Sequence, residues 1–506
     1  MTAITRRTLI RGAVGLSGAA TVTGLAGCGT DGTARAVGPA SRAVRDTEAA
    51  RRRAGQSLVS ARLQPRPASI DLGGQVVDTW AYGGTVPGPL LRATAGDLVR
   101  VDVENALPTE TSVHWHGLAL RNDMDGVPGI TQDPIAADAS FRYEFTAPDP
   151  GTYFYHPHTG VQLDRGLYGV LVVDDPAEPG AYDDEWVVVL DDWIDGTGRT
   201  PDDVLAELLD GSGSMHGGMD GMDGMDHGSM DGMGGMGEMR SRLLGGAGDV
   251  DHPHHLVNGR TPAAPAVLEG RAGRRVRIRI VNAASDTAYR VAIGGHRLTV
   301  THSDGFPVTP AQADALVVGM GERYDVTVRL GDGVFPLVAV AEGKGAQGLA
   351  VVRTGSGSSP KPDASPRELS GRVLLGTDLV ADESVRLTER KVDRSHDLVL
   401  AGSMTPYRWT INGEAFPGGA PLTVRQGERV RLTMVNHSMM FHPMHLHGHT
   451  FGLRRGGARK DTVIVGPMRS VEVDLDADNP GQWAAHCHNI YHAETGMMTT
   501  LAYRGG

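Results

Sequence analysis

Closely spaced histidines are the first chemical feature of this chain. Random placement of 20 histidines over 506 residues would give about 0.8 His-x-His pairs, whereas the sequence contains six. The pairs lie in HWHG (114–117), YHPHTG (155–160), HPHH (252–255), HPMHLHGH (442–449) and HCH (486–488). Residues i and i+2 of a strand point to the same face, so each pair offers two imidazoles side by side to a metal ion.

Cys487 is the only cysteine outside the N-terminal leader, and it lies between His486 and His488. On a strand its side chain must point away from these two histidines. A thiolate with two imidazoles and a weak axial thioether is the ligand set of a blue-copper electron-transfer centre. Cys487, His492 and Met497 supply three of these ligands, and we expect His442 to be the fourth.

The opposite face of the same strand predicts a second metal site. Eight imidazoles are available for it: His114, His116, His156, His158, His445, His447, His486 and His488. They are enough for three copper ions, and they come from the first and last parts of the chain, so the site must lie at an interface. Zinc is the alternative metal, but this many histidines with a single cysteine do not resemble a closed four-ligand zinc site.

Three copies of one strand pattern indicate the elements that position these residues. The stretches AGDLVRVDVENAL (95–107), AGRRVRIRIVNAA (272–284) and QGERVRLTMVNHS (426–438) match one another. In each, apolar and polar residues alternate and an Asn closes the run, which is typical of a strand with one buried face. The repeats predict an all-β protein of three tandem β-sandwiches, at 67–180, 181–365 and 366–506.

A methionine-rich segment belongs to none of these sandwiches. Residues 211–239 hold eight of the 19 methionines, interleaved with aspartates. Thioethers are soft ligands that prefer Cu(I), so we expect this segment to be disordered or mobile and to capture or deliver copper. A low-complexity insertion without a metal role is the alternative. HPHH at 252–255 reads as a turn before a strand, with weak copper binding as the alternative.

The N-terminus and the charge bear on location and partners. TRRTLIRGAVGLSGAATVTGLAGC resembles a twin-arginine export signal that ends in a lipoprotein cleavage motif at Cys28. The sequence therefore predicts a signal at 1–28, a flexible tether at 29–66, and a location at the cell envelope, on the extracellular face of the cytoplasmic membrane or in the periplasm. Cys28 is either a membrane lipid anchor or an ordinary residue of a discarded signal. The formal charge of −12 argues against nucleic-acid binding.

These motifs, in this order, resemble those of the three-domain multicopper oxidases, which include laccases, cuprous oxidases and bilirubin oxidases. The match covers about 65–506 and implies three cupredoxin-like Greek-key domains with four copper ions: one type 1, one type 2 and two type 3. By this resemblance the type 1 ligands are His442, Cys487, His492 and Met497. The type 2 ligands are His114 and His445. The type 3 ligands are His116, His156, His158, His447, His486 and His488. The middle domain is a spacer.

The resemblance also implies an activity. A reductant, Cu(I) or a phenolic compound, gives single electrons to type 1 copper, and Cys487 passes them to the trinuclear cluster, where O₂ becomes water. Asp125, in NDMDGVPG, lies where the family has a proton-relay acid, although a turn-forming role is the alternative. A second relay acid is common after the residue matching His492, but Ala493 occupies that position here.

We therefore expect an exported, monomeric oxidase that acts in copper tolerance. Copper nitrite reductase is the alternative enzyme class, but those enzymes lack the second and third His pairs that build a trinuclear copper site. A copper storage or carrier protein that uses its Met-rich segment is the alternative from another functional class.

Overall fold

The computed structural model describes residues 36–178, 182–212 and 241–505. The predicted signal at 1–28 and positions 213–239 of the Met-rich segment lie outside these residues. The described residues contain strands β1 to β32 and only three α-helices, which are α1 (Arg42–Arg51), α2 (Pro201–Asp210) and α3 (Ile490–Glu494). The prediction of an all-β fold is confirmed. None of the described helices is long and apolar enough to cross a membrane.

The first set of strands carries the HWHG and YHPHTG motifs. It forms a sheet of order β1-β5-β7, a sheet of order β4-β9-β8-β6 and the hairpin β2-β3. The strands are β1 (Leu58–Leu63), β2 (Pro65–Asp71), β3 (Val76–Tyr82), β4 (Leu91–Thr94), β5 (Leu98–Glu104), β6 (His114–His116), β7 (Ser140–Thr146), β8 (Gly151–His156) and β9 (Gly169–Asp174).

The second set forms two six-stranded sheets, of order β11-β10-β13-β18-β15-β16 and β12-β20-β19-β14-β17-β21. Its strands are β10 (Asp184–Trp193), β11 (His254–Val257), β12 (Ala266–Glu269), β13 (Arg275–Asn282), β14 (Tyr289–Ile293), β15 (Leu298–Ser303), β16 (Phe306–Ala313), β17 (Ala315–Val318), β18 (Arg323–Arg329), β19 (Val334–Ala341), β20 (Gln347–Arg353) and β21 (Val373–Leu374). Since β21 pairs with β17, this set continues beyond the boundary predicted at 365.

The third set carries the remaining histidine motifs. It forms a six-stranded sheet of order β23-β22-β25-β30-β27-β28 and a five-stranded sheet of order β24-β32-β31-β26-β29. Its strands are β22 (Arg394–Met404), β23 (Tyr407–Ile411), β24 (Leu422–Val424), β25 (Arg429–Asn436), β26 (His442–Leu446), β27 (Phe451–Leu453), β28 (Arg459–Lys460), β29 (Thr462–Val465), β30 (Ser470–Asp476), β31 (Gln482–Cys487) and β32 (Met498–Tyr503).

The three repeated stretches form equivalent strands. β5, β13 and β25 each pair in parallel with the first strand of their set and antiparallel with a later one. The closing asparagines are Asn105, Asn282 and Asn436, and each side-chain amide donates to a carbonyl of a neighbouring loop, at Ala136, Thr287 and Met440 respectively. Each side-chain oxygen also accepts from the backbone N–H two residues on. The repeated Asn therefore holds the strand end to the loops beside it.

The prediction of a flexible tether over 29–66 is wrong for its described part. Helix α1 begins after Ser41, whose side chain accepts from Val44 N, and β1 then joins the first sheet through β5. Glu48 of α1 is buried and accepts hydrogen bonds from the backbone N–H and the hydroxyl of Thr146 at 3.1 and 2.9 Å. A composition rich in Ala and Arg also suits a helix, and these contacts favour the ordered form.

Candidate metal centre

Three segments of the third strand set converge on Cys487. Cys487 ends β31 and His442 begins β26, which is its neighbour in the sheet. His492 lies on α3, a short helix that begins after Asn489, whose side chain accepts from the backbone N–H groups of Tyr491 and His492. Cys487 Sγ lies 3.6 Å from Nδ1 of both His442 and His492. Met497 is buried, and its backbone carbonyl accepts from Cys487 N at 3.0 Å.

Outer hydrogen bonds orient both imidazoles toward the sulfur. His492 donates from Nε2 to Asp249 Oδ2 at 2.8 Å, and His442 Nε2 lies 2.8 Å from Ser438 Oγ. Both Nδ1 atoms are thereby left facing Cys487, 3.1 Å from each other. Burial raises the pKa of the Cys487 thiol, and only a cation at the site would favour the thiolate.

Strand pairing also assembles the eight remaining histidines. β6 pairs with β8 so that His114 lies opposite His156, and β26 pairs with β31 so that His445 lies opposite His486. The two strand pairs then meet face to face. The ring centroids of His116 and His445 are 3.8 Å apart, and those of His114 and His447 are 3.9 Å apart. The structure therefore brings together imidazoles from the first and third strand sets.

Two sets of three neighbouring rings and one pair can be distinguished in this eight-histidine cluster, although rings of different sets, such as His116 with His445 and His114 with His447, lie closer still. His158, His447 and His486 have centroids 4.9 to 5.1 Å apart. A second triad has centroids 4.8 to 5.8 Å apart and comprises His116, His156 and His488. His114 and His445 remain as a pair with centroids 5.8 Å apart.

The nitrogen atoms that face the interior of the cluster fit a bound metal. His447 donates from Nδ1 to Asp125 Oδ2 and His486 donates from Nδ1 to the carbonyl of Cys487, so the lone pair of each ring lies on Nε2. These two Nε2 atoms face each other at 3.0 Å, an arrangement that is favourable only with a cation between them. Among the described residues, buried nitrogens without a hydrogen-bond partner also occur on His114, His116, His156, His445 and His488, and such groups are costly unless they are ligands.

Burial also sets the charge of the cluster. Desolvation, reinforced by neighbouring imidazoles, lowers the pKa of five of these histidines well below the usual value: His116, His156, His158, His447 and His488. Desolvation lowers the pKa of His486 to about 3. Neutral imidazole is the form that binds a metal, so the cluster is ready to bind one at neutral pH.

Comparisons with known proteins agree with this geometry. Family models described as multicopper oxidase match residues 66–178, 184–356 and 390–505. Multicopper oxidase MmcO of Mycobacterium tuberculosis is 48% identical, over 98% of this chain and 97% of that protein. This chain belongs to the multicopper oxidase family. It is an oxidoreductase that uses copper and transfers electrons from reducing substrates, such as Cu(I) or phenols, to O₂.

Other relatives are more distant. A copper resistance protein A homolog of Pseudomonas syringae pv. tomato is 29% identical, over 85% of this chain and 90% of that protein. The crystal structure of a multicopper oxidase from Pseudomonas thermotolerans has a TM-score of 0.65 and 27% identity, over 89% of this chain and all of that chain. The resemblance to three-domain multicopper oxidases is confirmed, and a storage role as the sole function is not favoured.

Asp125 of this multicopper oxidase lies against the cluster. It follows the 3-10 turn Asn122–Met124 and is fully buried. Its Oδ2 accepts from His447 Nδ1 at 3.0 Å, and its backbone carbonyl accepts from His114 Nδ1 at 2.8 Å. The same residue thus contacts the pair and one triad. Glu494, by contrast, is exposed on α3, and Ala493 has no ionisable group.

Sequence reasoning missed two polar residues that contact predicted ligands, Asp249 and Asp461, and a third, Arg323, that contacts Asp461. Asp249 accepts from His492, and Asp461 has its Oδ1 3.3 Å from His116 Nε2. Arg323 in turn donates to both carboxylate oxygens of Asp461 at 2.7 Å. Burial alone would raise the pKa of Asp461, but the Arg323 guanidinium and His445 together outweigh this effect, and the pKa lies below its usual range. The one sequence feature that could have indicated this group is Asp461 itself, a charged residue directly before the strand TVIV (462–465).

The HPHH stretch lies outside both sites. His252 is buried with Nε2 3.3 Å from Asp164 Oδ2, and His255 Nδ1 lies 2.8 Å from the hydroxyl of Tyr289. His254 begins β11, so the strand starts inside the predicted turn. His252 and His255 therefore have separate hydrogen-bond partners.

Proposed function

We propose that the Cys487 site holds type 1 copper and that the eight-histidine cluster holds the other three copper ions. The type 1 ligands are His442, Cys487, His492 and Met497. The pair His114 and His445 would bind type 2 copper, and each triad would bind one ion of the type 3 pair. The observation that carries this proposal is the set of inward lone pairs, above all the Nε2 atoms of His447 and His486 at 3.0 Å. Copper bound at the two sites would supply one-electron oxidation at Cys487 and four-electron reduction of O₂ at the cluster.

The protein supplies a short path between the two sites. Cys487 is covalently joined to His486 and His488, one of which belongs to each triad. The carbonyl of Cys487 also accepts a hydrogen bond from His486 Nδ1 at 2.8 Å. Electrons that enter at the sulfur thus reach both triads through bonds of a single strand end.

Asp125 is the proton-relay group in this proposal. Reduction of O₂ consumes protons, and Asp125 is a buried carboxylate that hydrogen bonds to His447. Its second oxygen, Oδ1, has no hydrogen-bond partner among the described residues. It is therefore available to hold and release a proton beside the cluster.

Exposed methionines in the third strand set, which also carries Cys487, favour Cu(I) as a substrate. Met439 and Met468 are 60% and 64% exposed. Met439 lies three residues before His442. The carbonyl oxygen of Met439 would lie 3.5 Å from a methyl group placed on Gly246. Residues 241–250 follow the Met-rich segment. They include Asp249, which accepts a hydrogen bond from His492. At the other end, α2 packs against β23, whose Trp409 lies over His492 with ring centroids 4.0 Å apart.

The described residues on both sides of the Met-rich segment thus lie near the proposed type 1 site, and thioethers are ligands that Cu(I) prefers. Oxidation of Cu(I) to Cu(II) by an exported enzyme would contribute to copper tolerance. The twin-arginine-like leader, lipid attachment at Cys28 and a monomeric state complete this proposal.

The test is O₂ consumption by the copper-loaded protein, supplied in parallel with Cu(I) and with a phenol such as dimethoxyphenol, each with and without added Cu(II). Preference for Cu(I), or phenol oxidation that depends on added copper, is the expected result. Fast phenol oxidation without added copper would instead make the protein a laccase.

Two variants locate the substrate site. Deletion of 213–239 should reduce Cu(I) oxidation more than phenol oxidation, and equal losses would remove this segment from substrate binding. Met439→Leu with Met468→Leu keeps apolar side chains of similar volume but removes the thioethers. Phenol turnover by the same preparations is the internal control for an intact type 1 site.

A further inference from the structure

A turn of the middle strand set forms part of the wall of the eight-histidine cluster. It connects β17 to β18 and contains Gly321, whose φ is +81°. A methyl group placed on Gly321 would lie 2.8 Å from His488 Cδ2 and 2.9 Å from His116 Cε1. The turn therefore touches imidazoles from the first and third strand sets.

Arg323, the first residue of β18, joins this turn to both other strand sets. Its side chain is fully buried. Nε donates to the carbonyl of Thr152 at 3.0 Å, and Nη1 donates to the carbonyl of Gly321 at 3.1 Å. Thr152 lies on β8, the strand that ends at His156. The guanidinium also donates two hydrogen bonds of 2.7 Å to the carboxylate of Asp461 in the third set, and its Nη1 lies 3.7 Å from Asp304 Oδ1.

Asp461 and its neighbour Thr462 pass this constraint to two imidazoles. The backbone carbonyl of Asp461 accepts a hydrogen bond from His445 Nδ1 at 3.0 Å. The side-chain Oδ1 of Asp461 lies 3.3 Å from His116 Nε2. Thr462 Oγ1 lies 3.1 Å from each of these two ring nitrogens and donates to Asp461 Oδ1 at 2.8 Å. The opposite nitrogens, His116 Nδ1 and His445 Nε2, have no hydrogen-bond partner among the described residues.

We propose that Arg323 is a positioning residue of the oxygen-reducing site. It holds the Asp461 carboxylate in one orientation, so that Asp461 and Thr462 turn the free nitrogens of His116 and His445 into the cluster. A buried ion pair is costly to desolvate and is often no more stabilising than apolar residues. The Arg323–Asp461 ion pair lies where the three strand sets meet and beside two of the ligand rings, so we assign it a role beyond stability. By this inference the middle strand set is more than a spacer. The inference rests on the copper assignment proposed above.

The test compares Arg323→Gln and Arg323→Lys with Arg277→Lys. Arg277 is the matched control, since it is also buried in the middle set and its guanidinium donates to Asp325 and Glu178; among the described residues it makes no hydrogen bond or ion pair with the eight-histidine cluster. Each purified protein is loaded with copper and measured for total copper per chain, type 1 visible absorption, type 2 electron paramagnetic resonance and type 3 near-ultraviolet absorption.

In Arg323→Gln we expect the affinity for type 2 and type 3 copper to fall about 10- to 100-fold, as is usual when an outer partner of a metal ligand is removed, while type 1 absorption is retained. Arg323→Lys keeps one charged donor and should recover part of the loss, whereas Arg277→Lys should match the wild type. If Arg323→Gln does not fold, Asp461→Asn keeps the side-chain size and gives the same readout.

Wild-type type 2 and type 3 signals in both Arg323→Gln and Asp461→Asn would overturn the inference. Equal losses in Arg277→Lys would also overturn it, because they would indicate general destabilisation. Absence of type 1 absorption in the loaded wild-type protein would instead refute the copper assignment.

Discussion

Replacement of Gly321 by alanine tests whether the middle strand set shapes the eight-histidine cluster. An alanine Cβ would lie 2.8 Å from His488 Cδ2 and 2.9 Å from His116 Cε1, whereas nonbonded carbon atoms prefer about 3.5–4.0 Å. The turn or the two rings must therefore move by more than half an ångström. Overpacking of this kind costs about 1–3 kcal/mol.

The backbone adds a second cost. Gly321 has a φ of +81°, and an alanine in the left-handed region costs about 1–2 kcal/mol. The total expected loss in the free energy of unfolding is about 2–5 kcal/mol. Gly273→Ala is the matched control. Gly273 has a φ of +82° and lies in the same strand set, but a methyl group there would meet no atom within 4 Å.

Urea denaturation of the copper-free proteins gives the stability difference, and copper content with near-ultraviolet absorption reports on the cluster. Gly273→Ala should lose only the backbone contribution to the free energy of unfolding, and it should bind copper as the wild type does. Gly321→Ala should be less stable by a further 1–3 kcal/mol or so and should bind type 3 copper weakly. Equal stability of the two variants, together with full type 3 absorption in Gly321→Ala, would refute the contact argument.

Three further predictions concern single side chains. Cys487→Ser should abolish the intense visible absorption and oxidase activity while circular dichroism stays unchanged, and a retained blue colour would refute the type 1 assignment. Asp125→Asn should lower O₂ turnover about 10²- to 10⁴-fold, the usual contribution of a positioned proton-transfer group, without changing type 1 absorption. Unchanged turnover would exclude Asp125 as the relay. Burial lowers the pKa of His255 to about 3, so the unfolded chain, with a pKa of about 6.5, binds the proton first as the pH falls. Stability from neutral His255 is therefore lost progressively below pH 6.5, by about 2 kcal/mol at pH 5. His255→Gln should remove this pH-dependent part of the unfolding free energy, and an unchanged pH dependence would contradict it.

The predicted copper ligands follow from short-range patterns, which is why they can be proposed from the sequence. In a strand, the two-residue spacing of His486 and His488 places both rings on one face and Cys487 on the other. The repeated Asn at the end of β5, β13 and β25 is equally local, because its side chain bonds the backbone two residues on. Such features need no knowledge of the fold.

The groups that orient those ligands depend on contacts between distant residues. Arg323 and Asp461 are 138 positions apart, and Asp249 and His492 are 243 apart. No spacing rule links such pairs, and an isolated Asp or Arg in a strand pattern reads as a surface residue. For the same reason helix α1 was predicted as a tether, since the buried contact of Glu48 with Thr146 spans 98 positions.

The sequence by itself therefore determined the strand repeats and the histidine pairs, because both follow from the two-residue period of a strand. Only the tertiary structure decided which of the eight imidazoles lie next to one another, and which ring nitrogens lack a hydrogen-bond partner. Those outcomes depend on where strands from different sets meet, and on the oxygen atoms of Asp125, Asp461 and Thr462 that hold the outer nitrogens.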